Sequence, residues 1–315
     1  MTALTLAEVQ AEAARLGFVA CGVATLEPSR RADALDQWLA AGRAGTMRYL
    51  HRQAKKRKQP ALVHPEARSA VMVLDNYAAA PDERPQPGDA FKVASYARGT
   101  DYHLVTLGRL LALKEWLISR GATFTSAWVD DGPVPERELA ERAGLGWIGK
   151  NAMLIHPQLG SWTFIGSVFT DLTFSVESAF GTDRCGSCTR CLDACPTDAF
   201  VAPRVLDATR CLSYLSIEFK PDPPPEFDGQ WAEWAFGCDI CNSVCPWNEK
   251  FAVPTTIPEF RRRPQPDRTD PAAFDTIDEA EFTRRYADSP LARPGLARMR
   301  RNVRHATARR QDPAS

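Results

Sequence analysis

Up to about residue 175, apolar and polar positions keep switching between two rhythms, a helical period near 3.6 and a strand period of 2. The stretch "TLAEVQAEAARLG" has helical spacing and ends at Gly17, followed by the strand-like run "FVACGVA". "DALDQWLAAG" predicts another helix, "SAVMVLDNYA" a strand, and "YHLVTLGRLLALKEWLISRG" a long amphipathic helix. "TFTSAWVD" predicts a strand ending in two carboxylates, and "PERELAERAG" a short helix with Pro135 near its start. "WTFIGSVFTDLTF" again reads as a strand. Such alternation predicts an α/β (α+β) domain over residues 1–175. Beyond it the rhythm is lost in a cysteine-rich stretch, residues 176–250, interrupted by the irregular "PDPPPEFDG". Residues 251–315 are rich in Pro and Arg, with short helices expected near "DEAEFTRRYA" and "PGLARMRRNVRHATARR".

Composition narrows the class. The chain has 315 residues, 25% charged and 44% hydrophobic, with a net charge of +0. That is ordinary for a globular protein, and any nucleic-acid surface must be a local patch. The N-terminus lacks a basic stretch followed by an apolar core, and no apolar run approaches a membrane span. The chain therefore reads as cytoplasmic and free of membrane contact, where thiols stay reduced and a disulfide framework is not expected. No G-x-G-x-x-G follows the first strand and no Walker A loop is present, so a dinucleotide or P-loop site is unsupported.

Eight of the 9 cysteines fall between residues 185 and 245. The ninth, Cys21, lies in an apolar run and reads as a small buried hydrophobe. Cys185, Cys188, Cys191 and Cys195 follow the C-x2-C-x2-C-x3-C-P pattern of bacterial ferredoxins. Three thiolates hold one corner of a 4Fe–4S cubane, and the fourth crosses to the other cluster. The second run, Cys238, Cys241 and Cys245, is one cysteine short, and Cys211 is the replacement. The crossover rule gives cluster one Cys185, Cys188, Cys191 and Cys245, and cluster two Cys195, Cys211, Cys238 and Cys241. Two all-thiolate zinc sites are the alternative, but zinc ribbons use two separated C-x2-C knuckles. Two adjacent clusters make an electron wire without saying what is reduced.

Longer motifs carry a resemblance. "YARGTDYH", the Arg57 of "RKQP", "VDDGPVPERELAERAGLGWIGKN", "RCLSYLSIE", "GCDICNSVCPWN" and "FTRRYADSPLARPGLARMRRN" together resemble the epoxyqueuosine reductase family, from near residue 40 to about 305. One departure lies past "RRN", where the family continues into a further helix and this chain runs to "VRHATARRQDPAS".

The resemblance implies a base-off cobalamin between the α/β domain and the ferredoxin module, in a fold akin to nitroreductase-like and cobalamin-processing folds. It implies reduction of epoxyqueuosine to queuosine at the tRNA wobble position, with electrons passing from the clusters to the cobalamin. The chain has no D-x-H-x-x-G motif for a histidine lower ligand. Asp130 matches the family's catalytic aspartate, and protonating a departing oxygen calls for such an acid; Asp131 reads as a solvent-facing cap. Tyr102 is a second candidate donor or substrate contact. By family position Arg57, Tyr96, Asp130, Leu154, Ile165, Ser213 and Leu215 contact cobalamin, several through backbone or van der Waals contact. Lys150 serves either the active-site loop or the framework.

A tRNA substrate requires a cationic surface. "HRQAKKRKQP" has five Lys/Arg and no acid, and residues 281–310 hold nine arginines against one Glu and one Asp. Arg298, Arg300 and Arg301 are the expected phosphate contacts, and Trp247 a candidate stacking platform for a splayed base. A low-potential donor such as ferredoxin or flavodoxin and a monomeric state complete the expectation. Two other classes stay open: an electron-relay protein, against which the large N-terminal domain speaks, and a reductive dehalogenase acting on a small molecule.

Overall fold

The computed structural model describes residues 4–86, 89–175, 182–263 and 271–308. The boundary expected at residue 176 and the terminal Arg309 and Arg310 lie outside the described residues. The first part runs α1 (Leu6–Arg15), β1 (Ala20–Thr25), α2 (Ala32–Ala40), α3 (Arg48–Lys58), β2 (Ser69–Asn76), β3 (Lys92–Val93), α4 (Tyr102–Ser119) and β4 (Thr125–Trp128). It continues through α5 (Glu136–Arg142), β5 (Trp147–Ile148), β6 (Leu154–Ile155) and β7 (Thr163–Thr170). The cysteine-rich part contains α6 (Arg190–Asp193), β8 (Phe200–Ala202), β9 (Val205–Leu206), α7 (Leu212–Ile217), β10 (Trp234–Phe236), α8 (Ile240–Ser243) and α9 (Pro246–Phe251). The C-terminal part contains α10 (Ala272–Thr276), α11 (Glu279–Tyr286) and α12 (Leu296–Thr307).

The expected strands form one sheet in the order β1-β2-β7-β4, antiparallel throughout. This is the α+β form of the alternation. All eight residues of β2 are buried because both faces of the sheet are covered. Val71 and Val73 pack on one face with Leu110, Leu113 and Leu117 of α4 and Val9 and Ala13 of α1. Ala70, Met72 and Leu74 pack on the other with Leu139 and Ala140 of α5. Thr5 caps α1 through a reciprocal bond with Glu8, as a capping box does.

The cysteine-rich part is joined to the sheet domain by backbone pairing. β10 pairs in parallel with β3, and Phe91, Val93 and Ala97 share a core with Phe236, Phe274, Tyr286, Leu296 and Met299. A buried polar network makes a second join. Asn242 Oδ1 accepts from Asn151 Nδ2 at 3.2 Å and from Ser161 Oγ at 3.1 Å, and Asn248 Oδ1 accepts from the Ser161 N–H at 2.6 Å. Asn151 ends "GWIGKN" and the other two asparagines lie in "GCDICNSVCPWN", so two of the motif fragments meet in space.

Candidate active site and thiolate set

Asp130 lies two residues beyond the end of β4, in the left-handed region at φ 55. A non-glycine residue there needs support, and three side chains give it. The Tyr102 hydroxyl, at the start of α4, donates to Asp130 Oδ2 at 2.6 Å. The Asp130 backbone N–H donates to Glu136 Oε1, on the first turn of α5, at 2.7 Å. Arg57, near the end of α3, donates to the Gly132 carbonyl at 2.8 Å and the Val134 carbonyl at 3.1 Å. Gly132 is needed for a steric reason: a Cβ there would lie 2.2 Å from the Trp128 ring. The loop thus leaves Asp130 exposed while Glu136 and Arg57 hold the backbone and Tyr102 holds the carboxyl.

The electrostatics follow from burial. Desolvation, then the Asp130 charge, holds the Glu136 carboxyl well above the usual carboxylate range. Desolvation, then Asp130, raises the Tyr102 phenol as well, so it stays protonated and available as a donor. Burial would lower His103, but its bond to Asp101 more than offsets this and raises it. Tyr49, Arg57, Tyr96, Tyr102, His103, Glu136 and Arg293 all lie within reach of the Asp130 charge. Glu136, Tyr49 and Arg293 were missed in the sequence. A Glu opening a helix reads as a dipole cap, and Arg293, which pairs with Glu218, lies far from Asp130 in sequence.

All nine cysteines are free thiols. The charge of Cys245 couples to Cys185 and Cys188, and that of Cys191 to Cys245, Cys185 and Cys188. Cys211 couples to Cys195, and Cys238 to Cys241 and Cys211. Among the described residues, no three of these thiols converge as ligands of a single ion. Cys241 couples to Cys211, Cys191 and Cys195, so the two sets adjoin. Burial raises the thiols of Cys211 and Cys238, so their thiolate forms need a cationic core to offset desolvation. Lys150 Nζ donates to the Gly186 carbonyl at 2.7 Å and the Cys188 carbonyl at 2.9 Å, which places it in the framework of the first cysteine loop.

The other expected residues fall into two groups. Tyr96 is partly buried and within reach of the charges of both Asp130 and Cys211, and Ser213 bonds to Cys211 beside the thiolates. Arg57 Nε, buried and without a partner, is a spare donor beside the acid loop. Ile165 is partly buried on the α5 side of the sheet. Leu154 and Leu215 are not brought out to the site: they are 3% and 1% exposed. The Leu215 backbone is also committed, its N–H to Cys211 and its carbonyl to Arg301. Cys21 sits in β1, and burial lifts its thiol to about 12, as suits a packing residue.

The expectation for the tail is corrected. Arg301 is 4% exposed and donates to the carbonyls of Leu215, Phe219, Lys220 and Pro221. Arg298 donates to those of Ile217, Arg293 and Pro294, and Arg300 to those of Phe274, Asp275 and Ile277. The Arg301 guanidinium is thus committed inside the protein, whereas Arg298 and Arg300 tie carbonyls while staying partly exposed. Trp247 is likewise committed, with its ring 4.8 Å from Trp147 and 5.2 Å from Phe251.

Comparison with known proteins agrees with this arrangement. The family described as "Epoxyqueuosine reductase QueG, DUF1730" matches residues 57–131, and "4Fe-4S double cluster binding domain" matches residues 184–248. The chain is 37% identical to an epoxyqueuosine reductase of Cellulophaga algicola, over 94% of this chain and 95% of that one. It is 39% identical to one of Gloeobacter violaceus, over 96% and 95%. A crystal structure of epoxyqueuosine reductase with an epoxyqueuosine-modified tRNA stem loop superposes with a TM-score of 0.88 at 29% identity, covering 98% of this chain and 82% of that one. Another, from Bacillus subtilis, with its catalytic aspartate loop swung out of the active site, gives 0.86 at 28% identity, with the same coverage of each chain.

Proposed function

This chain belongs to the epoxyqueuosine reductase family, and from that premise we propose that it reduces epoxyqueuosine in tRNA to queuosine, with Asp130 as the proton donor. One observation carries the residue assignment. Asp130 is the exposed acid of a loop braced by Tyr102, Glu136 and Arg57, and Tyr96 lies within charge reach of both that acid and Cys211. The thiols fit two 4Fe–4S clusters with the crossover assignment, Cys185, Cys188, Cys191 and Cys245 for one and Cys195, Cys211, Cys238 and Cys241 for the other. Arg57, Tyr96 and Ser213 would hold a cobalamin between acid and thiolates, where the spare Nε of Arg57 suits an amide arm. When bound, the clusters supply low-potential electrons and the cobalamin a two-electron reductant for the epoxide.

The residues of the chain do the rest. The Asp130 carboxyl delivers a proton to the departing oxygen, which would otherwise develop negative charge. Tyr102 fixes the carboxyl through Oδ2, leaving Oδ1 for the substrate, and Glu136 and Arg57 keep the loop in place. The same reading includes a ferredoxin- or flavodoxin-type donor and a monomeric protein. The test is anaerobic conversion of epoxyqueuosine-containing tRNA by cobalamin- and iron-reconstituted protein. Absence of queuosine in the wild-type reaction, with both cofactors bound, sinks the reading.

A further inference from the structure

With Arg301 committed inside, a continuous cationic surface is better sought elsewhere, and α3 carries one. Its sequence, Arg48–Lys58, contains six Lys/Arg and no acid, and none of its residues is fully buried. Two stripes run along it. Tyr49, Gln53 and Arg57, spaced by four, form the inner one: Gln53 accepts from Arg57, Arg57 holds the acid loop, and Tyr49 lies within reach of the Asp130 charge. Arg48, Arg52 and Lys56 form the adjacent stripe, with His51 and Lys55 beside it, and all five are exposed. Among the described residues, none of these five side chains has a hydrogen-bond or ion-pair partner, whereas Lys58 at the end of the helix pairs with Asp36.

Helix stability does not account for this pattern. Cations in the last turn complement the macrodipole, which explains Lys55 and Lys56. Arg48 stands instead at the positive end, where no acid accompanies it and no side chain caps the helix. Arg48, Arg52 and Lys56 also repel one another at i,i+4 spacing. Such a face costs the isolated helix a few tenths of a kcal/mol per pair, a cost that a neighbouring polyanion reverses. Its span of about 12 Å along the axis adjoins the braced loop that presents Asp130.

We propose that the outer face of α3, formed by Arg48, Arg52, Lys55 and Lys56, is the surface on which the sugar–phosphate backbone of the substrate tRNA lies beside Asp130. This rests on the tRNA reading above. The face steers the nucleic acid by charge and carries no base specificity, which is left to the groups around Asp130.

The test uses cofactor-loaded protein and a fluorescein-labelled, unmodified anticodon stem-loop RNA, with affinity measured by anisotropy across a salt series. For Arg52→Gln/Lys56→Gln, the slope of log K against log salt should become shallower by about 0.7 to 0.9 for each lost contact. Arg52→Lys/Lys56→Arg should keep the wild-type slope. Arg304→Gln, an exposed arginine of α12, should also keep it. An unchanged slope in the Gln pair overturns the proposal, and so does a slope that falls only in Arg304→Gln. Unchanged RNA binding combined with slower reduction by an acidic flavodoxin overturns it in favour of a protein partner. Failure of the activity is separate: wild-type protein that binds the stem loop with the expected slope and forms no queuosine sinks the reductase reading while this surface stands.

Discussion

Glu136 Oε1 lies 2.7 Å from the backbone nitrogen of Asp130 and accepts its N–H. Asp130 holds a backbone conformation unfavourable for a side-chain-bearing residue, and this bond is one reason that it persists. Glu136→Ala should therefore release the loop and lower turnover by roughly 10²-fold, the scale of a misplaced catalytic group. Glu136→Gln keeps an acceptor oxygen and should stay within about tenfold of wild type. Equal losses in both variants, with iron content intact, would assign Glu136 a role in proton transfer instead.

The same carboxyl predicts a pH dependence of stability. Its native pKa is raised, first by burial, so the folded state holds a proton that the unfolded state has released. Stability from this group falls as pH climbs from the unfolded value of 4.5 through the raised native one. Denaturant midpoints of wild type should decline across that window relative to those of Glu136→Gln. Parallel profiles would mean that Glu136 is already ionised in the native state.

Asp130→Asn keeps the shape but loses the transferable proton. Anaerobic single-turnover rates should fall by roughly 10²- to 10⁴-fold, with cobalamin uptake, iron content and RNA binding retained. Asp131→Asn should lose little, since Asp131 is exposed and has no hydrogen-bond partner among the described residues. If Asp131 proves the sensitive position, the acid has been placed one residue early.

Arg301→Ala leaves four carbonyls, the buried one of Leu215 among them, without a guanidinium donor. Its cost should be roughly 3 kcal/mol or more in urea unfolding, in line with losing a charged donor to buried acceptors. In whatever protein remains folded, the salt slope for RNA should not move. A stable variant with a shallower slope would restore Arg301 to the RNA surface.

Lys150→Met removes the ammonium bridging the Gly186 and Cys188 carbonyls. Iron should drop from about eight toward about four per chain as the first cluster becomes labile. Iron and acid-labile sulfide assays on anaerobic protein decide it. Full occupancy would show that the loop holds its shape without the lysine.

Much of the sheet domain was legible in the sequence, because β1, β2 and β7 and helices α1, α4 and α5 bury apolar stripes at the expected spacings. The order of the strands was not: β7 enters between β2 and β4, a choice made by long-range packing. The helix α3 escaped notice because it is almost entirely polar, leaving no apolar rhythm to find. The double-cluster module was legible from cysteine spacing, since cluster geometry restricts the loops so tightly. Arg301 of α12 misled for a physical reason. An arginine that ties backbone carbonyls and one that meets phosphate look identical in a sequence, and only burial separates them. Asp130 was found through its motif, but its left-handed backbone and the Glu136 brace are tertiary facts with no local signature.

The pairing of β3 with β10 joins residues 92–93 to residues 234–236, and the surrounding core draws on both parts of the chain. The redox part is therefore not a detachable cartridge. A truncation after the sheet domain would strip Phe91, Val93 and Ala97 of their packing partners and leave an apolar scar, and a grafted ferredoxin could not cover it without reproducing Phe236 and Met299 in register. The placement of the redox part against the sheet domain is accordingly set during folding by core packing.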